Sequence, residues 1–197
     1  MEPRGLIFDC DGTLADSMPL HWRAWDQTCR KHGLVFTEER FYSLGGVPSR
    51  RIFAMLGEEQ GVALDPVELS SQKEAAYLPL MPELQPVEPI VTIAREHRGK
   101  VPMAVATGGM RNCITRILNH LGIADWFDAL VTSEDVENPK PAPDTFLKAA
   151  QQIGVAPEHC RAFEDTDLGM QAIRAAGMEA VDVRTIPGVK TGSAFKQ

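Results

Sequence analysis

Four short apolar runs stand out along this chain, and each has the length of a buried β-strand. They are residues 5–8, 102–106, 129–131 and 180–183, and a weaker fifth candidate is Arg161-Ala162-Phe163 just before Glu164. Nearly continuous apolar runs of this length are typical of strands that are covered on both faces of a parallel sheet. The pattern therefore predicts a parallel sheet at the centre of the fold.

Between these runs, apolar residues recur at helical spacing and each pattern ends at a glycine. Cys113, Ile117 and Leu121 follow one another at four-residue steps before Gly122. Similar patterns cover residues 146–153 and 168–176, and they are ended by Gly154 and Gly177. Glycine at a helix C-terminus is a common stop signal. Alternating strands and helices predict an α/β fold with a doubly wound, Rossmann-like parallel sheet.

One long stretch, from about residue 16 to residue 82, contains no convincing strand. Met18, Trp22, Trp25 and Cys29 form an apolar helix stripe, and further helices are predicted at about 37–44, 49–56 and 65–77. We interpret the stretch as a small four-helix cap domain inserted after the first strand. Both tryptophans are assigned to the core of this domain.

The predicted domain boundaries follow from these patterns. Residues 1–15 and 83–187 form the Rossmann-like core domain, residues 16–82 form the helical cap, and residues 188–197 are a flexible tail without an apolar pattern. The proline-rich residues 79–89 are interpreted as the linker that returns from the cap. Asp65 and Pro66 have the order of a helix cap followed by proline at the first helical position.

Composition adds limits to this fold. The chain has 197 residues, 44% of them hydrophobic, enough for one good-sized core with a small insert. No apolar run is long enough to span a bilayer. Glu2 and Asp9 interrupt any signal-peptide pattern, and the four cysteines are scattered without metal-binding spacing. We expect a cytoplasmic enzyme with reduced thiols and no membrane association.

The net charge of −7 argues against a nucleic-acid partner, which requires clustered lysine and arginine. It leaves a small phosphorylated substrate possible, because a metal ion and one or two cations can reverse the field inside a pocket. A monomer is expected for a chain of this size.

Two acids, Asp9 and Asp11, follow the first predicted strand, with Gly12 and Thr13 behind them. Ligands of open parallel sheets bind beyond the carboxyl ends of the strands. The Gly-Thr pair indicates a turn that allows both carboxylates to converge there. One aspartate would suit a simple loop cap, but the complete Asp-x-Asp-Gly-Thr motif favours a site.

Three further motifs follow other predicted strands. Thr107 and Gly108 offer a hydroxyl and a backbone N–H that suit a phosphate oxygen, although such a turn alone is weak evidence. Lys140 stands between prolines that restrict its loop, the alternative being an ordinary solvated lysine. Glu164 and Asp165 follow an apolar run, where adjacent acids could also cap a helix; Asp167 is a candidate cap.

Taken in this order, the four motifs resemble the haloacid dehalogenase superfamily. Within it, the chain looks like the branch of sugar-phosphate phosphatases and β-phosphoglucomutases, and the resemblance covers residues 5–183. Dehalogenase members lack the second acid of the first motif and need no metal, so they fit the chain badly.

The resemblance implies a role for each motif residue. Asp9 would attack phosphorus and become an aspartyl phosphate, and Asp11 would protonate the leaving alcohol and then activate water. Lys140 and Thr107 would balance and bind the phosphoryl charge. The implied magnesium ligands are Asp9, the Asp11 carbonyl, Glu164 and Asp165, and the implied phosphate contacts are Gly12, Thr13, Thr107, Gly108 and Lys140.

The cap bears on the substrate. His21 matches a site-facing cap histidine of β-phosphoglucomutases, but a solvated helix face is an equally good interpretation. Residues 44–51 resemble the family's cap loop, which enters the active site. Its implied substrate contacts are Gly46, Val47, Arg50 and Arg51.

Departures from the mutase pattern favour a phosphatase. Mutases carry a lysine just before the second loop glycine and an arginine three residues after it, where this chain has Gly45 and Ser49. A further cap lysine is not found in residues 75–80. We expect a Mg²⁺-dependent hydrolase of a small sugar monophosphate, with fructose 1-phosphate as the leading candidate. The alternatives are a β-phosphoglucomutase-type mutase and a non-catalytic binding partner.

Overall fold

The computed structural model describes residues 3–189, and its centre is a five-stranded parallel sheet. The strands are β1 (Gly5–Phe8), β2 (Met103–Ala106), β3 (Ala129–Val131), β4 (Cys160–Glu164) and β5 (Glu179–Asp182). Their order is β3-β2-β1-β4-β5, and every neighbouring pair is parallel. All five runs selected from the sequence form strands, including the weaker candidate before Glu164.

Eight α-helices surround or extend this sheet in the described part of the chain. They are α1 (Met18–Lys31), α2 (Glu38–Ser43), α3 (Ser49–Gln60), α4 (Pro66–Tyr77), α5 (Glu88–His97), α6 (Arg111–His120), α7 (Asp144–Gln152) and α8 (Asp167–Ala175). Together with the parallel sheet, they confirm the predicted α/β class.

The sheet is covered on both faces, because successive strand residues point to opposite sides. Phe8 of β1 belongs to a buried cluster with Ile90 of α5 and Ile117 of α6. Ile7, one position earlier, belongs to a second cluster with Phe146 of α7 and Ile173 of α8. This division between two helix layers is the doubly wound arrangement that the sequence predicts.

Helices α1 to α4 lie between β1 and β2 and have an aromatic cluster of their own. The Trp25 ring packs in a tilted arrangement against Phe53, with 4.3 Å between ring centroids, and edge-to-face against Phe36 at 5.2 Å. Trp22 packs against the same cluster, so both tryptophans lie in the core of the insert as expected. We call residues 16–82 the cap below; its boundaries remain a prediction.

The chain enters and leaves the cap through two adjacent segments. Ala15 forms an isolated antiparallel bridge with Pro86, and the Asp16 N–H donates to the Gln85 carbonyl at 2.9 Å. The Val87 N–H donates to the Leu14 carbonyl, also at 2.9 Å. These hydrogen bonds hold the segment that enters the cap beside the segment that leaves it, next to the end of β1.

Some predicted boundaries need correction. Residues 79–89 are not a plain linker, because Leu78–Glu83 is a 3-10 helix and α5 begins at Glu88. Proline at the first positions of a helix has no N–H that the helix would need, so a proline-rich stretch can still start one. Helix α5 was not predicted, and α3 extends to Gln60.

Other features agree with the sequence. Asp65 is the N-cap of α4 and accepts hydrogen bonds from the Val67 and Glu68 N–H groups. All four cysteines are free, three of them buried. Among the described helices, none has the length and apolar character required to cross a membrane. Of the predicted tail, residues 190–197 lie outside the described residues.

Candidate active site

The chemistry-bearing residues converge at the carboxyl ends of the central strands. Asp9 directly follows β1, Thr107 directly follows β2, and Glu164 is the last residue of β4. Lys140 reaches the same place from the loop between β3 and α7. Because parallel strands end at one edge of the sheet, residues far apart in sequence become neighbours there.

The turn after Asp9 is built on the Cys10 carbonyl. This oxygen accepts the N–H groups of Thr13, Leu14 and Ala15 at 2.9–3.2 Å. Gly12 has φ +84°, and a Cβ atom there would overlap the Asp165 carboxylate. Glycine is therefore required both by the backbone conformation and by the close approach of the Asp165 carboxylate.

Gly12 and Thr13 use their own polar groups within this turn. The Gly12 N–H donates to the Ala15 carbonyl at 2.8 Å, and the Thr13 N–H donates to Cys10 at 3.2 Å. The Thr13 hydroxyl lies 3.5 Å from Asp165 Oδ1. Both backbone N–H groups thus have partners within the turn.

Three buried carboxylates form the centre of the site. Asp9, Glu164 and Asp165 each place an oxygen within 4.8 Å of the others. Lys140 Nζ lies between two of them, donating to Asp9 Oδ1 and Glu164 Oε2 at 2.7 Å each. Lys140 is itself buried, so the alternative of a solvated loop lysine does not hold.

The carboxylates outnumber the cations around them, and their pKa values reflect this. Burial and the neighbouring Glu164 raise the pKa of Asp9 to about 8, and the same two causes raise the pKa of Asp165 well above its ordinary value. For Lys140, the attraction of Asp9 and Glu164 outweighs burial and raises the pKa of the ammonium. A second positive charge would relieve this crowding, so the oxygen-only donor set fits a hard divalent cation.

Glu164 is held by its own backbone and by the start of α8. Its Oε1 accepts hydrogen bonds from the Asp165 N–H, the Thr166 N–H and the Thr166 hydroxyl, at 2.8–3.1 Å. A Cβ atom on Gly169 would overlap the Glu164 carboxylate, so glycine leaves the space in which this carboxylate lies. The orientation of Glu164 is therefore fixed by the local sequence.

Thr166, and not Asp167, caps α8. The Thr166 hydroxyl accepts the Gly169 N–H at 3.1 Å, whereas Asp167 is exposed and pairs with Arg184 at 2.8 Å. The expectation that Asp167 caps this helix is wrong, because its position is one residue too late for the N-cap.

Asp11 points away from the carboxylate cluster and towards the cap. Its Oδ1 accepts a hydrogen bond from the Ser17 hydroxyl at 2.5 Å and lies 3.3 Å from His21 Nε2. Burial acts to raise the pKa of Asp11, but the hydrogen bonds of His21 and Ser17 outweigh it and the net pKa is lowered. The two aspartates of one motif thus have different surroundings: a lysine and two acids for Asp9, a histidine and a serine for Asp11.

Thr107 lies at the edge of the same region. It is buried, and its hydroxyl accepts the Gly109 N–H at 3.1 Å, which leaves the hydroxyl proton to donate. A Cβ atom on Gly108 would meet nothing within 4 Å, so the space beside this loop is open. Thr107 and Gly108 therefore border open space at the strand end, next to β1.

Comparison with known proteins identifies the fold. The model of the haloacid dehalogenase-like hydrolase family matches residues 6–183. The chain belongs to this family. It is 43% identical over 183 residues to the fructose-1-phosphate phosphatase YqaB of Escherichia coli, covering 92% of this chain and 97% of that protein. The predicted enzyme class, a phosphatase of the haloacid dehalogenase-like family, is confirmed by these matches.

Two further relatives are β-phosphoglucomutases. One from Bacillus subtilis is 30% identical over 191 residues, covering 91% of this chain and 83% of the relative. A solved β-phosphoglucomutase from Clostridium difficile has a TM-score of 0.81 at 26% identity, covering 92% of this chain and 84% of that one. The resemblance to this branch of the haloacid dehalogenase-like family is therefore confirmed in both sequence and fold.

Lys73 of α4 is a buried cation that could not be recognised from the sequence. Its Nζ lies 3.0 Å from His21 Nδ1 and 2.9 Å from Glu74 Oε1. Lys73 lies two residues before the range 75–80 in which a cap lysine was expected. The expectation that the cap lacks a further lysine facing the site is corrected by this contact.

His21 is buried and connects Lys73 to Asp11. Its ring also stacks on Tyr77 at 4.0 Å between centroids. Of the two interpretations left open by the sequence, the site-facing one agrees with these contacts, because a solvated helix face would leave the ring exposed. Ser17 was missed as well; a serine at a helix N-cap gave no signal that its hydroxyl reaches Asp11.

The expected substrate-binding residues of the cap loop lie in different surroundings. Gly46 approaches the core, where a Cβ atom would lie 3.4 Å from Thr166 Oγ1 and Leu168 Cβ. Val47 packs partly on the cap's aromatic cluster. Arg50 and Arg51 are exposed at the start of α3. The loop is therefore near the site, while the two guanidinium groups have no fixed position in it.

Proposed function

We propose that this chain is a magnesium-dependent phosphatase that hydrolyses a small sugar monophosphate through an aspartyl phosphate on Asp9. The observation that carries the proposal is the separation of the two aspartates. Asp9 lies among Lys140, Glu164 and Asp165, and Asp11 lies between Ser17 and His21. A nucleophile and a general acid–base need such different environments.

The metal would be held by Asp9, Glu164, Asp165 and the Asp11 carbonyl. When bound, Mg²⁺ would supply positive charge that offsets the carboxylates and the phosphate dianion. The fit rests on the three buried carboxylates within 4.8 Å of one another and on the raised pKa values of Asp9 and Asp165.

In the first step, an Asp9 oxygen attacks phosphorus. A P–O bond to Asp9 forms, the bond from phosphorus to the sugar oxygen breaks, and Asp11 donates a proton to that departing oxygen. Lys140, 2.7 Å from Asp9, stabilises the charge on the carboxylate and the phosphoryl oxygens. The Thr107 hydroxyl would donate a hydrogen bond to a phosphoryl oxygen.

In the second step, water attacks phosphorus and Asp11 accepts its proton. The Asp9–phosphorus bond breaks, inorganic phosphate leaves, and the Asp9 carboxylate is restored. The lowered pKa of Asp11 keeps its carboxylate unprotonated before this step, so that it can accept the proton. For its acid role, Asp11 must exchange the hydrogen bonds of Ser17 and His21 for the leaving oxygen, which couples protonation to the substrate.

Fructose 1-phosphate is the leading substrate. The support is the similarity of the cap loop to fructose-1-phosphate phosphatases and the 43% identity to the Escherichia coli enzyme of that name. Lys73 gives no specific support for a mutase, because two of the three N–H donors of its ammonium are directed at His21 and Glu74.

The test is a panel of sugar monophosphates incubated with Mg²⁺, with inorganic phosphate measured in parallel with isomer formation. We expect phosphate release, with fructose 1-phosphate among the best substrates. Product isomer forming faster than phosphate would instead favour the β-phosphoglucomutase-type reaction. No turnover of any ester by folded protein would refute both.

Asp9→Asn is the matching variant, because it keeps the size of the side chain and removes the nucleophilic carboxylate. We expect it to abolish phosphate release while the thermal unfolding midpoint shows a folded protein. Asp125→Asn, at an exposed residue that pairs with Arg98, is the control and should retain activity. Full activity of Asp9→Asn would exclude Asp9 as the nucleophile.

A further inference from the structure

The cap loop and the start of α8 meet at one close contact, between Gly45 and Thr166. A Cβ atom built on Gly45 would lie 3.3 Å from Thr166 Cγ2 and 3.4 Å from the Tyr42 carbonyl oxygen. Cβ contacts of this length are tighter than ordinary van der Waals contact, so a side chain at position 45 would require the loop or Thr166 to shift by a few tenths of an ångström. Glycine allows the present approach without such a shift.

Thr166 cannot easily give way. Its hydroxyl donates to Glu164 Oε1 at 2.8 Å and accepts the Gly169 N–H at 3.1 Å. These two hydrogen bonds fix the side-chain rotamer, and a β-branched residue then has a single position for its methyl group. That methyl group, Cγ2, faces the cap loop. The hydroxyl that bonds Glu164 and the methyl group that faces the cap loop thus belong to one side chain with a fixed rotamer.

Gly45 and Gly46 have different backbone conformations, so the contact of Gly45 with Thr166 can be tested without straining the backbone. Gly46 has φ +84°, so a substitution there would be strained whatever the space around it. Gly45 has no positive φ. A substitution at position 45 therefore tests the contact with Thr166 and not the backbone.

We propose that the Gly45–Thr166 contact sets how closely the cap loop seats beside Glu164, and thereby how strongly the site prefers a sugar phosphate over an aryl phosphate. The inference rests on the proposed phosphatase function and adds a specificity-determining pair to it. With glycine at position 45, the loop carries no side chain into the space above Thr166.

The experiment is a double-mutant cycle of Gly45→Ala and Thr166→Ser. Serine keeps the hydroxyl that bonds Glu164 and Gly169 but lacks the Cγ2 atom that a new Cβ at position 45 would meet. The readout is the ratio of kcat/KM for fructose 1-phosphate to kcat/KM for p-nitrophenyl phosphate. The nitrophenyl ester has a good leaving group and depends little on closure of the cap.

We expect Gly45→Ala to lower this ratio roughly threefold to tenfold. The double variant should return to within about twofold of Thr166→Ser alone, because the space lost at position 45 is regained at position 166. Ser43→Ala is the matched control in the same loop region, since its hydroxyl bonds only the Arg40 carbonyl in its own helix. It should leave the ratio unchanged.

Hydrogen exchange provides a readout that does not depend on turnover. Gly45→Ala should increase amide exchange in both the loop at 44–48 and the start of α8, and the double variant should reverse both increases. If Gly45→Ala leaves the ratio and the exchange as in the wild type, or if Thr166→Ser fails to compensate, the proposal is overturned. If the wild type hydrolyses no sugar phosphate, the proposed function fails, and the exchange pattern alone decides whether the contact exists.

Discussion

Lys73 Nζ lies 3.0 Å from His21 Nδ1, and this contact inside the cap determines which nitrogen of the His21 ring carries the proton. An ammonium group only donates hydrogen bonds, and His21 Nδ1 must therefore be the acceptor. The ring proton then resides on Nε2, which lies 3.3 Å from Asp11 Oδ1. Lys73 thus makes His21 a hydrogen-bond donor to Asp11 through the far side of the histidine ring.

Lys73→Met tests this arrangement, since methionine keeps the apolar stem and removes the ammonium. The His21 tautomer would no longer be fixed, and we expect kcat/KM for the sugar phosphate to fall about tenfold or more. Lys31→Met, at an exposed lysine that contacts only Gln72, is the control and should be neutral. Wild-type kinetics in Lys73→Met would show that the contact has no part in catalysis.

Gly169→Ala should be harmful although helix propensity predicts the opposite. Replacing glycine by alanine inside a helix normally stabilises it by roughly 0.5–1 kcal/mol. Here the added methyl group would overlap Glu164, which must then rotate away from Lys140 and the carboxylates of Asp9 and Asp165. We expect the variant to lose most of its activity and some of its stability, measured by phosphate release and urea unfolding.

The control for this variant lies on the same helix. Gln171 of α8 is exposed, and Gln171→Ala should change neither activity nor stability appreciably. If Gly169→Ala is more stable than the wild type and equally active, Glu164 has another position available and the steric argument is wrong.

The sequence predicted the strands well, because a strand buried on both faces leaves a continuous apolar run such as Leu6-Ile7-Phe8. The motif acids were likewise found from their position after these runs. Such signals are local in the chain, and parallel topology then brings the strand ends together.

Contacts between distant segments could not be predicted in the same way. Lys73 stands in the polar stretch Ser71-Gln72-Lys73-Glu74, which has the composition of a solvated helix face. Its burial arises from the packing of α4 against α1, which places His21 beside it. Thr166 gave no signal either, because a threonine before a helix indicates a cap and nothing in the chain shows which loop it meets.

Asp165→Asn should distinguish two effects of this carboxylate, namely its effect on stability without a divalent cation and its contribution to Mg²⁺ binding. Without a divalent cation, we expect the variant to be more stable than the wild type, because burial and Glu164 raise the pKa of Asp165 and make its charged form unfavourable. With Mg²⁺ at 100 times its dissociation constant, the wild type should gain about 2.7 kcal/mol, and the variant much less.

Thermal unfolding with EDTA and with Mg²⁺ gives both quantities. Asp167→Asn is the neighbouring control, since Asp167 is exposed and pairs with Arg184 outside the carboxylate cluster. It should respond to Mg²⁺ like the wild type. An equal response of Asp165→Asn and the wild type would remove Asp165 from the set of metal ligands.

Asp135 provides a pH-dependent contribution to stability away from the site. Burial acts to raise its pKa, but hydrogen bonds from the Thr132 N–H and hydroxyl, both at 2.8 Å, and the ion pair with Arg111 outweigh it. The net pKa is lowered below 3.8. A carboxyl group with a lowered pKa in the folded state stabilises the protein above its unfolded pKa, and this contribution is lost as the pH falls through the folded pKa.

Asp135→Asn should therefore cost about 1–2 kcal/mol of unfolding free energy at pH 7. The difference from the wild type should shrink as the pH falls below about 4, where the wild-type carboxyl group also loses its charge. Urea unfolding at a series of pH values measures it. Asp125→Asn, whose ion pair with Arg98 is largely exposed, should cost less than about 0.5 kcal/mol at any of these pH values. A pH-independent difference for Asp135→Asn would mean that the hydrogen bonds to Thr132 do not require the charged carboxylate.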